Sequence, residues 1–313
     1  MRHLIFVSLF FSSLTAAVVA DEYQIDLHFC YGNSSQLLVE GRVIEQRNAS
    51  PAKASDNMFS NIWRSLQRLV NDEEEYAKIS LLIGSRMFTI RSDEEGYFRF
   101  TLPLNDESLS ESLTIQLQAE NTKLNSQCSL FLPGQANSVG IISDFDDTVV
   151  VSDVTDKTKL LLNILTKNYK QREVVEGMSA FYRRLLMTNH EQALLIFLTG
   201  SPRQIQKSIE AFLNYHNFPS RIVLTKKLNG ENSDPIFDQF KYKTEKIIAL
   251  LEFFPEIDFV LVGDDGEKDP EVYDYIQMQF PGRIKDVWIR QVSSDSQQQR
   301  YAGQQLFVEN PGG

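Results

Sequence analysis

Three carboxylates fall within four residues in Ser143-Asp144-Phe145-Asp146-Asp147-Thr148, directly after the apolar run Val139-Gly140-Ile141-Ile142. A short apolar run that ends abruptly in acids predicts a buried parallel strand with Asp144 and Asp146 at its C-terminal end. In open α/β sheets that end is where ligands bind. Aspartates this close repel one another, so the segment calls for a cation. Carboxylates together with a backbone carbonyl suit magnesium. The alternative is an acidic loop capping a helix, since Asp and Thr are good N-caps.

Three further stretches sit at the ends of apolar runs or just inside helices: Thr199-Gly200-Ser201, Lys243, and Gly263-Asp264-Asp265 followed by Asp269. Each is weak alone; their order and shared placement carry the reading. The chemistry that needs such a set is phosphoryl transfer through an aspartyl-phosphate. Asp144 is expected to attack phosphorus, with one of its oxygens on Mg2+. Asp146 is expected to protonate the leaving alkoxide and then take a proton from water, its backbone carbonyl completing the metal's coordination with Asp144 and Asp264. Thr199 and the Gly200 amide are expected to bind the phosphoryl oxygens, and Lys243 to supply a fixed positive charge. Thr148, Asp265 and Asp269 are supporting residues, with Asp269 orienting Lys243 or a metal-bound water. A phospho-accepting receiver domain also uses acids, a Thr and a Lys. It takes its phosphorylated aspartate from a different strand than the acidic pair, which disfavours it here.

The elements that must position these groups alternate after the polar connector Leu132-Pro133-Gly134-Gln135-Ala136-Asn137. Helices are predicted near 156–167 and 176–188, from Pro202 to about Tyr215, from Asp234 to Phe253, and from Pro270 to about Phe280. Strands are predicted over 193–198, 222–225, 258–262 and 287–290. This order predicts a doubly wound, Rossmann-like parallel sheet over 138–292, with a polar tail over 293–313 laid on the surface or mobile. Residues 21–134 read mainly as β, a small sandwich of short strands. They include a hairpin signal at Asp93-Glu94-Glu95-Gly96. One helix interrupts them, with Met58, Ile62, Leu66 and Leu69 on one face and Phe59, Trp63 and Val70 beside it; Trp63 is expected in the core. This region carries no chemistry-bearing spacing and reads as a structural or substrate-presenting accessory domain.

The formal charge of −11 over 313 residues argues against broad nucleic-acid binding and against a polybasic membrane anchor. Arg2 and His3, the apolar run from Leu4 to Leu14, and Val18-Val19-Ala20 before Asp21 read as a secretory signal peptide over 1–20. An exported protein, periplasmic or secreted, with at most peripheral membrane contact is therefore expected. The two cysteines, Cys30 and Cys128, are a disulfide candidate in such a compartment; two free buried thiols are the alternative. Asn33-Ser34-Ser35 and Asn48-Ala49-Ser50 match glycosylation acceptors.

Taken together, Gly140 through Thr148, Phe197 through Pro202, Tyr242 through Ile247, Phe253 through Pro255, and Phe259 through Tyr273 resemble the haloacid dehalogenase (HAD) superfamily. More narrowly they resemble the catalytic domain of the actin-patch-associated phosphatidate phosphatases and their bacterial relatives. The resemblance covers roughly 138–290, and the turn Asp93 to Phe98 is similar to that family's N-terminal β domain. It implies Mg2+-dependent conversion of phosphatidate to diacylglycerol. The chain differs from the family pattern at Thr199-Gly200, Arg203 and Asp265. Arg203 is expected to be a solvent-facing residue at a helix start, with a grip on a phosphate ester as the alternative. The short spacing between the first two motifs leaves no room for a large cap, so selectivity falls to loops such as 150–175. That loop is rich in Lys157, Lys159, Lys167, Lys170 and Arg172, read mainly as solubility. A phosphatase of soluble sugar or nucleotide phosphates and a non-catalytic binding module on the same scaffold are the rival functions.

Overall fold

The computed structural model describes residues 23–45, 51–69, 73–104, 114–119, 126–129, 139–151, 166–188, 194–228, 233–235, 238–293 and 301–308. The signal-peptide region, residues 156–165 of the helix expected near 156–167, and the Asn48 acceptor lie outside them. Strands β1 (Tyr23–Gly32) and β2 (Gln36–Glu45) pair antiparallel, and β2 pairs with β5 (Tyr97–Pro103) to complete a three-stranded sheet. Strands β3 (Lys78–Ile83), β4 (Arg86–Arg91), β6 (Thr114–Ala119) and β7 (Ser126–Ser129) form a second antiparallel sheet in the order β4-β3-β6-β7. Leu37, Val39 and Phe100 meet Ile79, Leu81 and Leu117 in a core shared by the two sheets.

Period-two alternation then explains a second contact. On β1, Cys30 points into that core, while Phe29 and Tyr31 point away into the hydrophobic cluster of the α/β unit. Cys30 lies in a disulfide. The sequence has one other cysteine, Cys128, whose backbone pairs with Ile115. Asn33 is buried, and its Nδ2, the atom a glycan would take, donates to the Phe253 carbonyl across the same contact.

The α/β unit has six parallel strands in the order β10-β9-β8-β11-β12-β13. They are β8 (Val139–Asp144), β9 (Leu195–Pro202), β10 (Ile222–Lys226), β11 (Asp258–Asp264), β12 (Ile284–Arg290) and β13 (Gln304–Phe307). Central strands buried on both faces require helices on both sides. Helices α2 (Met178–Thr188) and α3 (Gln206–Tyr215) cover one face through Phe181, Tyr182 and Phe212. Helices α4 (Gln239–Phe253) and α5 (Asp269–Gln279) cover the other through Ile247, Leu250 and Ile276. The winding reverses between β8 and β11, which makes a crevice outside their C-terminal ends.

Several expectations are corrected. The Asp93–Gly96 turn exists, with Gly96 at φ +76° and Asp93 Oδ1 accepting from Glu95 and Tyr97 amides. Its flanking strands nevertheless enter different sheets, so it is a crossover between sheets and not a hairpin. The helix expected from Asp234 begins at Gln239, because the Asp238 side chain accepts from the Lys241 amide and caps it. The helix expected at Pro202 starts later too: β9 runs through Pro202, and a 3₁₀ turn over Arg203–Ile205 precedes α3. The tail supplies β13, whose Phe307 is buried and pairs with Arg290. Helix α1 (Met58–Leu69) departs from expectation at Trp63, and the side chains of Leu66, Leu69 and Val70 lie outside those described. Trp63 is 66% exposed and Phe59 77% exposed, while Asn61 is buried.

Candidate active site

Strand β8 delivers Asp144 and strand β11 delivers Asp264 to the two sides of the reversal point, both buried. Asp147 then takes φ +56°, a left-handed conformation that Asp tolerates. Arg290 Nη1 donates to its carbonyl. The turn brings the Thr148 hydroxyl back between the strand ends, 3.5 Å from Asp144 Oδ2 and 3.3 Å from Asp264 Oδ2.

Helix α4 inserts Lys243 from the covering layer, fully out of water. Its Nζ lies 2.9 Å from Asp144 Oδ1 and 3.5 Å from Glu267 Oε2, and it also pairs with Asp269 Oδ1. Asp269 opens α5 and uses its other oxygen, Oδ2, to accept the Asp264 amide at 3.2 Å. This packing requires glycine at 263, because a Cβ there would stand 2.4 Å from Asp269 Oδ2. Asp264 Oδ1 accepts the Gly266 amide at 2.8 Å.

Asp146 stands apart from this group. Its Oδ2 accepts from the Thr199 hydroxyl at 2.7 Å and the Ser201 hydroxyl at 3.4 Å. Its Oδ1 is buried and meets no hydrogen-bond donor among the described residues. The Ser201 amide donates to Thr199 Oγ1 at 3.0 Å, and the Tyr242 hydroxyl donates to the Thr199 carbonyl at 3.0 Å, which fixes the β9 end from two directions. Gly200 lies under the Gln239 side-chain amide, where a Cβ would come within 2.4 Å of Nε2. Asp265 turns away, its Oδ1 accepting the Val292 and Ser293 amides at 2.8 and 2.9 Å.

The electrostatics are those of an over-acidic pocket. Burial pushes the Asp144 carboxyl well above its ordinary range. Lys243 opposes the shift, and Asp269, Asp264 and Asp146 add to it. Asp264 is raised for the same first reason, with Asp269 next. Asp146 is raised by burial, against the Thr199 hydrogen bond and the Arg172 guanidinium. For Lys243 burial acts downward, but Asp144, Asp269 and Glu267 outweigh it and hold the ammonium well above its usual value.

Asp144, Asp264 and Asp269 offer oxygens that all lie within 4.8 Å of one another. Three hard carboxylate donors in a dry site, with a buried acceptor of Asp146 left over beside them, fit a small divalent cation. Asp269 is held on both oxygens by Lys243 and the Asp264 amide, whereas Thr148 has one hydroxyl hydrogen to share between Asp144 Oδ2 and Asp264 Oδ2, so Asp144 and Asp264 are the residues to hold the ion.

The structure thus gathers Asp144, Thr148, Lys243, Asp264 and Asp269 on one side and Asp146, Thr199 and Gly200 on the other. Sequence reading named Ser201, Tyr242 and Glu267 only as members of the motif stretches, with no role, and missed Gln239, because which polar side chain turns into a site leaves no periodic signal. Two cations depart from expectation. Arg172, read with the loop lysines as solubility, is buried in the field of Asp146. Arg203, expected to face solvent, is buried against Glu40 of β2.

Residues 139–291 match the family described as "Phosphatidate phosphatase APP1, catalytic domain". Phosphatidate phosphatase APP1 of Saccharomyces cerevisiae is 31% identical over 156 residues, covering 49% of this chain and 26% of that protein. An uncharacterized protein of Schizosaccharomyces pombe is 27% identical over 258 residues, covering 78% of this chain and 42% of that protein. The chain therefore spans less than half the length of the curated relatives it matches. A carbohydrate acetylesterase from Xanthomonas citri, 9% identical, aligns over 85% of this chain and 68% of its own with a TM-score of 0.33, too low to inform fold or function. Over the stretch that holds every residue of the site, the chain is similar to the catalytic domain of phosphatidate phosphatase APP1.

Proposed function

We propose that this protein is a phosphomonoester hydrolase of the HAD type, with phosphatidate as leading substrate and diacylglycerol and phosphate as products. The observation that carries the reading is the meeting of Asp144, Asp264 and Asp269 around Lys243 at the switch point, with Asp146 across from them. The family match over 139–291 supports it independently. Asp144 attacks phosphorus, forming an acyl-phosphate bond as the ester P–O bond breaks. The Asp146 carboxyl gives its proton to the departing alkoxide, then accepts one from the water that cleaves the acyl phosphate and regenerates Asp144. Lys243 keeps the Asp144 carboxylate oriented and offsets its charge as the phosphoryl group approaches. Thr199 positions Asp146 and, with the Gly200 amide, lines the place for phosphoryl oxygens. A bound Mg2+, held by Asp144, Asp264 and the Asp146 carbonyl, would supply charge neutralisation between the acidic site and an anionic substrate.

An exported location belongs to the same proposal and rests on the leader-like composition of residues 1–20. No described helix is long and apolar enough to cross a membrane. The test is phosphate release from dispersed phosphatidate and from a panel of soluble sugar and nucleotide phosphates, each with Mg2+ and with chelator. Metal-dependent release that favours the lipid supports the reading. Preference for the soluble panel moves the substrate to that class, and no release from any monoester with Mg2+ rejects the hydrolase.

A further inference from the structure

Helix α1 binds the rest of the molecule through its polar side. Asn61 Nδ2 donates to the Thr166 carbonyl at 2.8 Å and to Gln171 Oε1 at 2.7 Å, and Asn61 Oδ1 accepts from Asn168 Nδ2 at 3.1 Å. Arg64 reaches Asp56 Oδ2 at 3.0 Å. With that side committed, Met58, Phe59 and Trp63 stand outward, at 52%, 77% and 66% exposure. Successive helical residues differ by roughly 100°, so Phe59 and Trp63 lie one above the other and Met58 flanks them at the helix start. An apolar stripe that faces water on a folded domain marks a surface for interaction.

Charge selects the partner. The chain carries −11, yet Met58–Leu69 contains no acid. Lys53 and Lys167 are exposed at its edge, and Lys170 follows on the same docked segment. Large apolar side chains flanked by exposed lysines suit a helix lying in the plane of an anionic lipid surface. Position agrees. Helix α1 packs against the turn Arg203–Ile205 that leaves the C-terminal end of β9, and against the segment whose Arg172 lies in the field of Asp146.

We propose that α1 is an interfacial helix that lays Met58, Phe59 and Trp63 into an anionic bilayer and so presents the carboxylate end of the parallel sheet to phospholipid headgroups. The inference deepens the phosphatidate reading and rests on it for its purpose, but the binding itself is measured without turnover. The full chain is floated with vesicles of phosphatidylcholine alone and of phosphatidylcholine mixed with phosphatidylglycerol, and compared with the double substitution Phe59→Ser and Trp63→Ser. Both positions are exposed, so an unchanged melting temperature is expected and checks the fold.

The expected result is flotation with the anionic vesicles only, a blue shift of tryptophan emission on binding, and a loss of partitioning by about tenfold or more in the variant. Turnover of a dissolved short-chain ester is kept. Equal flotation of both proteins, or none with anionic vesicles, overturns the proposal. So does a wild-type dimer that the substitutions split, which would assign the stripe to a second copy of the chain. Vesicle binding without hydrolysis of any ester removes the enzyme and leaves the docking helix, whereas hydrolysis of dissolved ester without vesicle binding does the reverse.

Discussion

The molecule holds two buried clusters of charge, and their balance is opposite. Around Lys243 one ammonium meets Asp144, Asp269 and Glu267, with Asp264 alongside. Around Glu40 one carboxylate meets Arg203 through Oε1 and Arg99 through Oε2, with His28 Nδ1 3.9 Å away. Burial pushes the Glu40 carboxyl up, but His28, Arg203 and Arg99 together hold it down at about 2. The first cluster carries surplus negative charge that its own residues do not neutralise. In the second, two guanidiniums outnumber the one carboxylate, with Arg99 half-exposed to water, and the cluster ties the sandwich to the α/β unit. Removing water from a charge costs several kcal/mol, on the order of the whole stability of a domain, so an unbalanced cluster persists where a ligand supplies the balance.

The comparison breaks most visibly at Asp144. Replacing it with Asn removes the nucleophile while keeping its shape and the Thr148 contact. Turnover should fall by at least about 10³-fold with the circular dichroism spectrum unchanged; activity within tenfold of wild type would move the nucleophile elsewhere. Lys243→Met comes next. It strips the acidic cluster of its cation and should cost about 3–5 kcal/mol of stability in urea unfolding with chelator present. Added Mg2+ should raise the melting temperature of this variant more than that of the wild type, since a ligand that binds only the folded state stabilises it by mass action. Equal Mg2+ shifts in the two proteins would argue that the ion binds outside the cluster.

Most of the α/β unit is legible in the sequence because its strands are short apolar runs ending in chemistry. Ile141 and Ile142 leading to Asp144, and Leu261 and Val262 leading to Asp264, give the strands, their direction and the site at once. The sandwich is less legible. Strand β1 alternates Phe29, Cys30 and Tyr31 between two different cores, so it lacks the polar face by which a half-buried strand is recognised. Strand β13 is hidden in a polar tail, since this edge strand of four residues buries Gln304 and Phe307, of which only Phe307 is apolar. Trp63 misleads for a deeper reason. Helical periodicity tells that Phe59 and Trp63 share a side, and composition assumes that the apolar side faces inward. Here Asn61, through partners more than a hundred residues away, decides the orientation instead.

Glu40→Gln sharpens the contrast from the other side. It leaves the buried Arg203 without its counter-charge and should destabilise by about 3 kcal/mol at neutral pH, with turnover per folded molecule largely kept. The sign with pH follows from a carboxyl whose folded value lies below its usual 4.5. Its contribution is complete above that value and is lost as pH falls through about 2, below which Glu40 is protonated in both states. Urea-unfolding free energies of wild type and variant should therefore differ at neutral pH and converge on acidification. A gap that stays constant down to the acid limit would show that the pairing with Arg203 and Arg99 contributes nothing.

The smallest effect belongs to the link between the two halves of the site. Tyr242 and Lys243 are neighbours on α4, yet one reaches the Thr199 carbonyl at 3.0 Å and the other Asp144 at 2.9 Å. A single turn of helix thus sets the spacing between the two halves of the site. Tyr242→Phe removes a neutral hydrogen bond but keeps the ring that fills the fully buried space, so it should cost about 1 kcal/mol of stability. If Thr199 is then free to shift, Asp146 loses part of its orientation. kcat should drop by about fivefold, with KM for a dissolved ester little changed. A full loss of activity would mean that Tyr242 touches the substrate; no change in kcat would mean that the Ser201 amide alone suffices to hold Thr199, and through it Asp146, in place.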